Sequence, residues 1–386
     1  MDEELKGDEL AALLERVFKP RPEDRAAAVL VDLPDAQVGD NPAWAERRRL
    51  AAGWVEQLRG QQQRLGLPVE LVLFRNARRT NADLPERAWI HRGPLPQRAE
   101  DLEPDAAVPL EQIFAEHRIL LAPTEFSATA PLKLAAARSG IRAATMPGFS
   151  PAMIPALRLD YTEVNRRVDF MTDLLDRSSA ADFRFRLDTG RELELTLDLR
   201  HRSAHASGGL FPEPGAAGNL PSGESYIVPY EGERPDDPSR SQGWLPVQFG
   251  DEVVCYRVER NRALEVEPGG AMAQREARRL GDEPAYGNMA ELGLGVLADF
   301  GLEPSGEILL DEKLGLHIAF GRSDHFGGQV GAAQFSSPEA VVHIDRVYIP
   351  AIQPRVSAAA VDLQLDDGQR LALIRDGDYA IDFSER

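Results

Sequence analysis

The sequence contains one cysteine, Cys255, in 386 residues. A single thiol excludes an intramolecular disulfide and the thiolate clusters of structural zinc sites, and it is typical of a reducing compartment. Basic residues are also scarce, because 44 Lys and Arg stand against 63 Asp and Glu and leave a formal net charge of −19. A chain this acidic is not expected to bind a phosphate backbone. The composition therefore predicts a cytoplasmic protein without a nucleic-acid partner.

Long apolar runs and nucleotide-binding motifs are missing as well. No segment is apolar over the roughly 20 residues that a membrane-spanning helix needs. The acidic, amphipathic start of the chain has neither the basic nor the apolar region of a signal peptide. No G-x-G-x-x-G or G-x-x-x-x-G-K-[ST] motif opens a predicted helix. We therefore expect no membrane association and no dinucleotide or nucleoside triphosphate cofactor.

The length and the first part of the chain predict an α/β domain. A chain of 386 residues is longer than one hydrophobic core usually supports, so two domains are expected. Two apolar strands, AAAVLVDL and PVELVLF, flank a long amphipathic helix predicted over 41–65. This β-α-β pattern favours parallel pairing. We predict an α/β N-terminal domain over residues 1–165.

The pattern changes to short strands after a helix predicted over 160–177. The run 183–200, FRFRLDTGRELELTLDLR, alternates polar and apolar residues around a Thr-Gly turn, which is typical of a hairpin. The small-residue stretch 203–217 is predicted as a loop. We predict a β-rich (α+β) C-terminal metal-binding domain over residues 166–386.

Histidine and aspartate in two predicted strands indicate where a metal could bind. In LGLHIAFG, His317 points away from the face that carries the apolar residues, whereas in VVHIDRVYI the side chains of His343 and Asp345 share a face. A lone histidine in a strand is more often a hydrogen-bonded core residue than a ligand. The H-x-D pair strengthens the metal hypothesis, because imidazole and carboxylate groups both suit divalent cations.

Two glutamates are candidates to complete the site. Glu224 follows a Pro-Ser-Gly turn in NLPSGESYIVP, and taken alone it is typical of a solvent-facing turn residue. Glu291 lies in an apolar run, AELGLG, where a buried carboxylate needs a compensating charge. The candidate ligands are Glu224, Glu291, His317, His343 and Asp345. Five such ligands exceed the need of one tetrahedral zinc and indicate two ions about 3.5–4 Å apart, as in metal-assisted hydrolysis.

Four phrases carry a resemblance to a known family. NLPSGE, AELGLG, LDEKLGLHIAFG and HID, in this order, resemble the metal-binding motifs of the aminopeptidase T family of two-metal exopeptidases, including leucyl-aminopeptidase-like members with an FGG loop. The likeness runs from about Phe183 to the end of the chain. It implies that these five residues bind two ions, such as Zn, Co or Mn. It also implies an α/β domain joined to a β-rich catalytic domain, a homodimer, and a small peptide or amide as substrate.

The sequence departs from this family at one position. Well-studied members carry a tyrosine a few residues after the first histidine, placed to help stabilise the transition state, and 322–325 contains none. His325, in a glycine-rich loop, is a candidate for a related catalytic role, as a donor to a developing oxyanion or as a proton shuttle. The alternative is a loop histidine without a chemical role.

Three functions remain open at this point. The first is a metallo-aminopeptidase in which Glu224 and Glu291 are ligands or, for one of them, the general base. The second is a mononuclear Fe(II) dioxygenase of the dihydroxypyridine type, with His317, His343 and Asp345 as its two-histidine, one-carboxylate face. Those dioxygenases carry histidine where Glu291 stands, so the resemblance favours hydrolysis. The third is a catalytically inactive metal-binding relative.

Overall fold

The computed structural model describes residues 4–383. Its first helices and strands are α1 (Gly7–Phe18), β1 (Ala26–Leu33), α2 (Pro42–Arg59), α3 (Gln62–Leu65), β2 (Val69–Arg75), β3 (Arg87–His91), β4 (Val108–Pro109), α4 (Leu110–Glu116), β5 (His117–Ala122), α5 (Thr129–Ser139), β6 (Arg142–Thr145), α6 (Ile154–Leu157) and α7 (Tyr161–Asp176). No helix within the described part of the chain has the length and apolar character needed to cross a bilayer.

Short strands dominate the rest of the chain. They are β7 (Ser178–Leu187), β8 (Glu192–Asp198), β9 (His205–Ser207), β10 (Ala217–Asn219), β11 (Glu224–Ile227), β12 (Gln242–Phe249), β13 (Glu252–Glu259), β14 (Arg262–Val266), β15 (Met289–Gly295), β16 (Leu316–Gly321), β17 (His343–Val347), β18 (Val356–Leu365), β19 (Arg370–Arg375) and β20 (Asp378–Tyr379), with helices α8 (Ala271–Asp282) and α9 (Ile308–Asp311) between them. The predicted fold class, an α/β part followed by a β-rich part, is confirmed.

The helix predicted over 41–65 is interrupted. Its first part begins after Asn41, whose side chain caps the backbone N–H of Trp44. At Gly60 and Gln61 the backbone N–H groups bond three residues back, to Gln57 and Leu58. This tighter turn interrupts the α-helical hydrogen-bond ladder. The prediction of one continuous helix was therefore wrong, because apolar periodicity alone does not register such a turn.

The first unit contains a mostly parallel sheet. It comprises residues 1–165, 207–222 and 305–310. The strand order is β10-β6-β5-β1-β2-β3-β4, and β1 pairs in parallel with both β2 and β5. The predicted parallel β-α-β unit is present, and β3 and β4 add an antiparallel edge.

Two segments differ from the sequence-based division into domains. Residues 207–222 and 305–310 belong to the first unit, although the prediction placed them in the second domain. The reason for the longer segment is strand pairing, since β10 extends the first sheet by pairing in parallel with β6. The stretch 203–217, predicted as a loop, also contains the short strand β9.

The second unit contains two sheets. It comprises residues 166–206, 223–304 and 311–386. One sheet has the order β14-β13-β12-β8-β7-β18-β19-β20, and the predicted hairpin over 183–200 forms its antiparallel pair β7 and β8. The other, which we call the ligand sheet, has the order β17-β16-β15-β11-β9.

One face of the ligand sheet is buried in the core of the second unit. Leu292, Leu294 and Ile318 are fully buried on this face. Phe320 contacts the rings of Tyr256 and Tyr286, at centroid distances of 5.0 and 5.3 Å. Because side chains alternate along each strand, the polar residues between these positions lie on the opposite face.

Candidate metal centre

The five candidate ligands lie together on that opposite face of the ligand sheet. Residues paired across antiparallel strands share a face, as do residues two apart along a strand. Glu291 pairs with Ala319, which pairs with Asp345 on β17. Gly293 pairs with His317 in the adjacent row. The resulting face carries Glu224, Glu291, His317, His343 and Asp345.

Glycines on β15 provide the space that these side chains occupy. A Cβ atom on Gly293 would lie 1.9 Å from Nε2 of His317. A Cβ atom on Gly295 would lie 2.2 Å from the carbonyl carbon of Lys313. The sequence AELGLG thus places leucines in the core and glycines toward the site, and a side chain at position 293 would displace the imidazole.

Glu224, Glu291 and His317 form a first group of possible ligands. One ligand atom from each lies within 4.8 Å of the other two, and all three residues are buried. Nε2 of His317 lies 3.2 Å from Oε1 of Glu291 and 3.6 Å from Oε2 of Glu224. The group offers one nitrogen and two carboxylate ligands, a set that suits a divalent cation.

Glu291, His343 and Asp345 form a second group. Their ligand atoms also lie within 4.8 Å of one another. Nε2 of His343 is 3.3 Å from Oε2 of Glu291 and 3.4 Å from Oδ1 of Asp345. Glu291 therefore belongs to both groups and turns one oxygen toward each histidine, which is the position of a bridging carboxylate.

Backbone carbonyls orient the two imidazoles. Nδ1 of His343 lies 2.7 Å from the carbonyl oxygen of Arg322, and Nδ1 of His317 lies 3.4 Å from that of Gly315. A proton on Nδ1 satisfies each contact and leaves Nε2 facing the carboxylates. Such a second contact is the usual support of a metal-binding histidine.

The close acids and imidazoles shift each other's pKa values. Burial alone would lower the pKa of His317, but its hydrogen bond with Glu291 and the charge of Glu224 raise it to about 9. The pKa of His343 is raised well above its usual value, because Asp345 and Glu291 outweigh burial. Burial favours the neutral form of Glu291, yet the two imidazoles hold its pKa below the usual value. Without a metal, the imidazoles therefore hold protons that a cation would displace.

Glu312 and Lys313 join the site and were missed in the sequence. The fully buried ammonium of Lys313 lies 2.5 Å from Oε1 of Glu224, and it also donates to the carboxylate of Glu312. Burial raises the pKa of Glu312 to about 8, despite the opposing charge of Lys313. The available signal was the acidic and basic pair in LDEKLGLH, directly before the strand of His317.

The residues present fit divalent cations. Among residues 4–383, the buried oxygen Oε2 of Glu224 has no hydrogen-bond partner. The cluster combines the carboxylates of Glu224, Glu291, Glu312 and Asp345 with the ammonium of Lys313. Buried negative charges require nearby positive charge, and once the two imidazoles are neutral, as metal ligands must be, Lys313 alone cannot neutralise the four carboxylates.

His325 lies beside the second group. Its ring centroid is 5.4 Å from that of His343 and 3.9 Å from that of Phe326. Burial and the charge of His343 lower the pKa of His325 to about 4, so the imidazole is neutral at pH 7. The buried carboxylate of Glu231 holds this loop, since it accepts a hydrogen bond of 2.6 Å from Ser323. The structure thus brings His325 to the site, and its catalytic role stays a prediction.

Two solved structures resemble this chain over nearly its whole length. The 2,5-dihydroxypyridine dioxygenase from Pseudomonas putida KT2440 aligns with a TM-score of 0.62 and 16% identity, covering 99% of this chain and 100% of that chain. Wild-type AmpT from Thermus thermophilus aligns with a TM-score of 0.54 and 19% identity, covering 97% of this chain and 99% of that chain. At these identities the similarity shows a shared fold.

Comparison with protein-family models gives no match, and comparison with curated proteins gives none either.

Proposed function

We propose that this protein is a metal-dependent hydrolase that removes N-terminal residues from short peptides or cleaves a related amide. The observation that carries the proposal is the shared position of Glu291 in two groups of possible ligands. Two-metal hydrolytic sites have this arrangement, in which one carboxylate lies between two sets of ligands and each set offers nitrogen and oxygen atoms. The order of the sequence motifs supports the same function, whereas the fold is shared with AmpT and with the dioxygenase alike.

Each group of possible ligands has its own part in this proposal. Glu224 and His317 would hold one ion, His343 and Asp345 would hold the other, and Glu291 would contribute to both sites. Zn, Co and Mn suit this set of oxygen and nitrogen ligands. When bound, a pair of such ions polarises a substrate carbonyl and lowers the pKa of water.

Glu312 is the carboxyl group that this proposal assigns to proton exchange. It lies outside both three-residue groups of possible ligands, to which Glu224 and Glu291 belong. The hydrogen bond from Lys313 fixes one of its oxygens. In the metal-free protein burial raises its pKa to about 8, and a carboxyl group beside the ligands can accept and return a proton. His325, neutral and partly exposed, can donate a hydrogen bond at the other side of the site.

The iron dioxygenase hypothesis has less support from the site. It required His317, His343 and Asp345 to form one face around a single ion. Among the described residues, the ligand atoms of these three residues do not form one group within 4.8 Å, and each histidine groups with Glu291 instead. The dioxygenase among the structural neighbours supports the fold alone. A metal-binding protein without turnover remains the second alternative, and activity measurements separate it from the hydrolase.

The test is reconstitution with defined metals. Metal-free protein is loaded with Zn, Co or Mn and assayed under nitrogen with leucine p-nitroanilide and with dipeptides. A second portion is loaded with Fe(II) and assayed in air with 2,5-dihydroxypyridine. The proposal predicts about two ions per chain and hydrolysis without oxygen. A single bound iron with oxygen uptake on 2,5-dihydroxypyridine would favour the dioxygenase. Two bound ions with no turnover on any peptide would favour the inactive relative.

We further propose a cytoplasmic homodimer. The resemblance to the aminopeptidase T family supports the dimer, and the single cysteine with the acidic composition supports the compartment. Light scattering coupled to size exclusion is expected to give twice the chain mass of 42.5 kDa.

A further inference from the structure

Tyr226 lies on the same face of the ligand sheet as the candidate metal ligands. It follows Glu224 by two residues on β11, so both side chains point to the same side. Tyr226 pairs with Gly293, and Gly293 pairs with His317 on the next strand. Because Gly293 has no side chain, the imidazole of His317 lies over it and extends toward Tyr226 on the same face of the sheet.

Aromatic neighbours hold the ring of Tyr226 in place. It stacks on His205 with a centroid distance of 5.1 Å and an interplanar angle of 23°. Phe326 approaches it edge-on at 4.8 Å. His205 and Phe326 are themselves connected, since Nε2 of His205 lies 3.0 Å from the carbonyl oxygen of Phe326. The direction of the Tyr226 hydroxyl is therefore set by packing on both sides of the ring.

The hydroxyl of Tyr226 differs from those of the other tyrosines in the described chain. Hydrogen bonds to backbone or side-chain oxygens are made by the hydroxyls of Tyr161, Tyr230, Tyr256, Tyr286, Tyr348 and Tyr379. Within residues 4–383 the hydroxyl of Tyr226 makes no such bond, although the residue is only 8% exposed. The hydroxyl is also not among the fully buried atoms that lack a partner, so it is accessible to a ligand on this face of the sheet.

Ring contacts show where this phenol lies. Phe326, which packs against the ring of Tyr226, also contacts the ring of His343 at a centroid distance of 5.6 Å. The phenol thus lies near both ligand groups, since Glu224 is on its own strand and the ring beside it contacts His343. A phenol keeps its proton at neutral pH, so that it acts as a hydrogen-bond donor. The phrase NLPSGESY carries no sign of this role, because a tyrosine in a strand is commonly a packing residue.

We propose that Tyr226 is a catalytic residue whose hydroxyl donates a hydrogen bond to the substrate oxygen that becomes negatively charged during hydrolysis. This inference rests on the proposed function. As water adds to the amide carbon, the carbonyl electron pair moves to that oxygen, and the phenol stabilises the charge while keeping its proton. The electron pair on the oxygen then re-forms the carbonyl as the carbon–nitrogen bond breaks, and the amine leaves with the proton that the water gave up. Tyr226 would supply from β11 the contact for which 322–325 offers no tyrosine.

The test compares the wild type with Tyr226→Phe, which keeps the ring and removes the hydroxyl. Binding of two probes to the manganese-loaded proteins is measured by calorimetry. The phosphonic acid analogue of leucine carries a tetrahedral oxyanion, whereas 3-methylbutylamine has the same amine and side chain without it. We expect phosphonate affinity to fall by about 10–100-fold and amine affinity to change less than about twofold, because one directed donor is lost. Peptide turnover should fall about 10²–10³-fold in kcat with little change in KM.

Tyr256→Phe is the matched control. Its hydroxyl donates to Glu276 in the core, away from the ligand-bearing face, so its loss should lower the unfolding temperature and leave phosphonate affinity unchanged. Metal content should equal that of the wild type in both variants. Equal phosphonate affinity of the wild type and Tyr226→Phe, including no binding by either, would overturn the inference. A wild type that binds phosphonate but hydrolyses no peptide would refute the proposed function, and the Tyr226 comparison would still be decided by binding.

Discussion

Asp32 in the first unit and Glu224 in the second are both buried acids, and they differ in how their oxygens are satisfied. The carboxylate of Asp32 accepts hydrogen bonds from the backbone N–H groups of Glu125 and Phe126, at 2.9 and 3.2 Å, and from the indole of Trp44 at 3.1 Å. In the described chain, Oε2 of Glu224 is buried with no hydrogen-bond partner. The protein supplies hydrogen-bond partners for both carboxylate oxygens of Asp32. One oxygen of Glu224 has no such partner, and a cation can take that place.

The difference matters because Asp32 occupies the more conventional position for a ligand site. It lies near the carboxyl end of β1, beside the parallel strand β5, and open α/β sheets commonly bind ligands at such a point. Here the side chain of Asp32 takes up the backbone donors after β5, and Glu125 pairs with Arg47 at 2.5 Å. Whether a buried carboxylate has hydrogen-bond partners therefore identifies the candidate site better than its position in the fold does.

The largest expected effect is that of removing the shared ligand. Glu291→Ala takes one carboxylate from both groups, so metal content should fall from about two ions to fewer than one per chain. Peptide turnover should fall by more than about 10³-fold. This exceeds the 10–100-fold loss that is typical when a residue that only hydrogen-bonds to a metal ligand is replaced. Elemental analysis after dialysis measures the first quantity. Glu125→Ala, which alters a paired acid of the first unit, is the control and should keep both ions.

Single histidine substitutions sharpen the distinction between two ions and one. His317→Ala and His343→Ala each affect one group of ligands, so each should leave about one ion per chain, and the double variant should bind none. Each single change is expected to lower turnover by about 10²–10³-fold, on the scale of losing one transition-state contact. If either single variant lost all of its metal, the two groups would be one site.

Protonation of His317 in the acid-rich cluster makes the free energy of unfolding of the metal-free protein depend on pH. The pKa of His317 is raised to about 9 in the folded protein, against about 6.5 in the unfolded chain. Protonation of His317 therefore stabilises the fold fully below about pH 6.5, and this stabilisation is lost as pH rises to 9. The free energy of unfolding in chelator should fall by about 3 kcal/mol over this range. His317→Gln should flatten this part of the curve. Chemical unfolding between pH 6 and 9.5 makes the measurement, and an unchanged slope in the variant would contradict it.

The smallest expected effect concerns Asp32, the buried acid whose oxygens accept hydrogen bonds from the protein. Burial raises the pKa of Asp32 to about 6, so the folded state takes up a proton that the unfolded state has lost. The contribution of Asp32 to stability should be greatest below about pH 4 and fall by about 2–3 kcal/mol as pH rises to 6. Asp32→Asn should remove most of this dependence and leave the metal content unchanged. Metal loss in this variant would break the contrast between the two units.

Strand periodicity made much of the ligand face predictable. His317 opposes the apolar side of its strand, and His343 and Asp345 alternate with Ile344, which is half-buried, so residue spacing alone determines their direction. Glu291 was recognisable because a carboxylate in an apolar run needs a partner. The pairing of four strands, which brings these positions together, depends on register, and no single segment encodes it.

Other features could not be predicted, for physical reasons. Glu312 and Lys313 lie in a short 3₁₀ turn before β16, where charged residues usually face water and no periodicity marks their direction. Tyr226 resembles an ordinary strand residue until its hydroxyl is found without a partner. In the first unit, β10 joins the sheet through three residues, Ala217–Asn219, which is too short a run to give a pattern.

The central claim is that two cations bind on the ligand face with Glu291 between them. The most direct measurement is anomalous diffraction from crystals of the protein grown with Mn²⁺. The account predicts two peaks, one among Glu224, Glu291 and His317 and one among Glu291, His343 and Asp345. A single peak, or ions bound only away from Glu291, would contradict it.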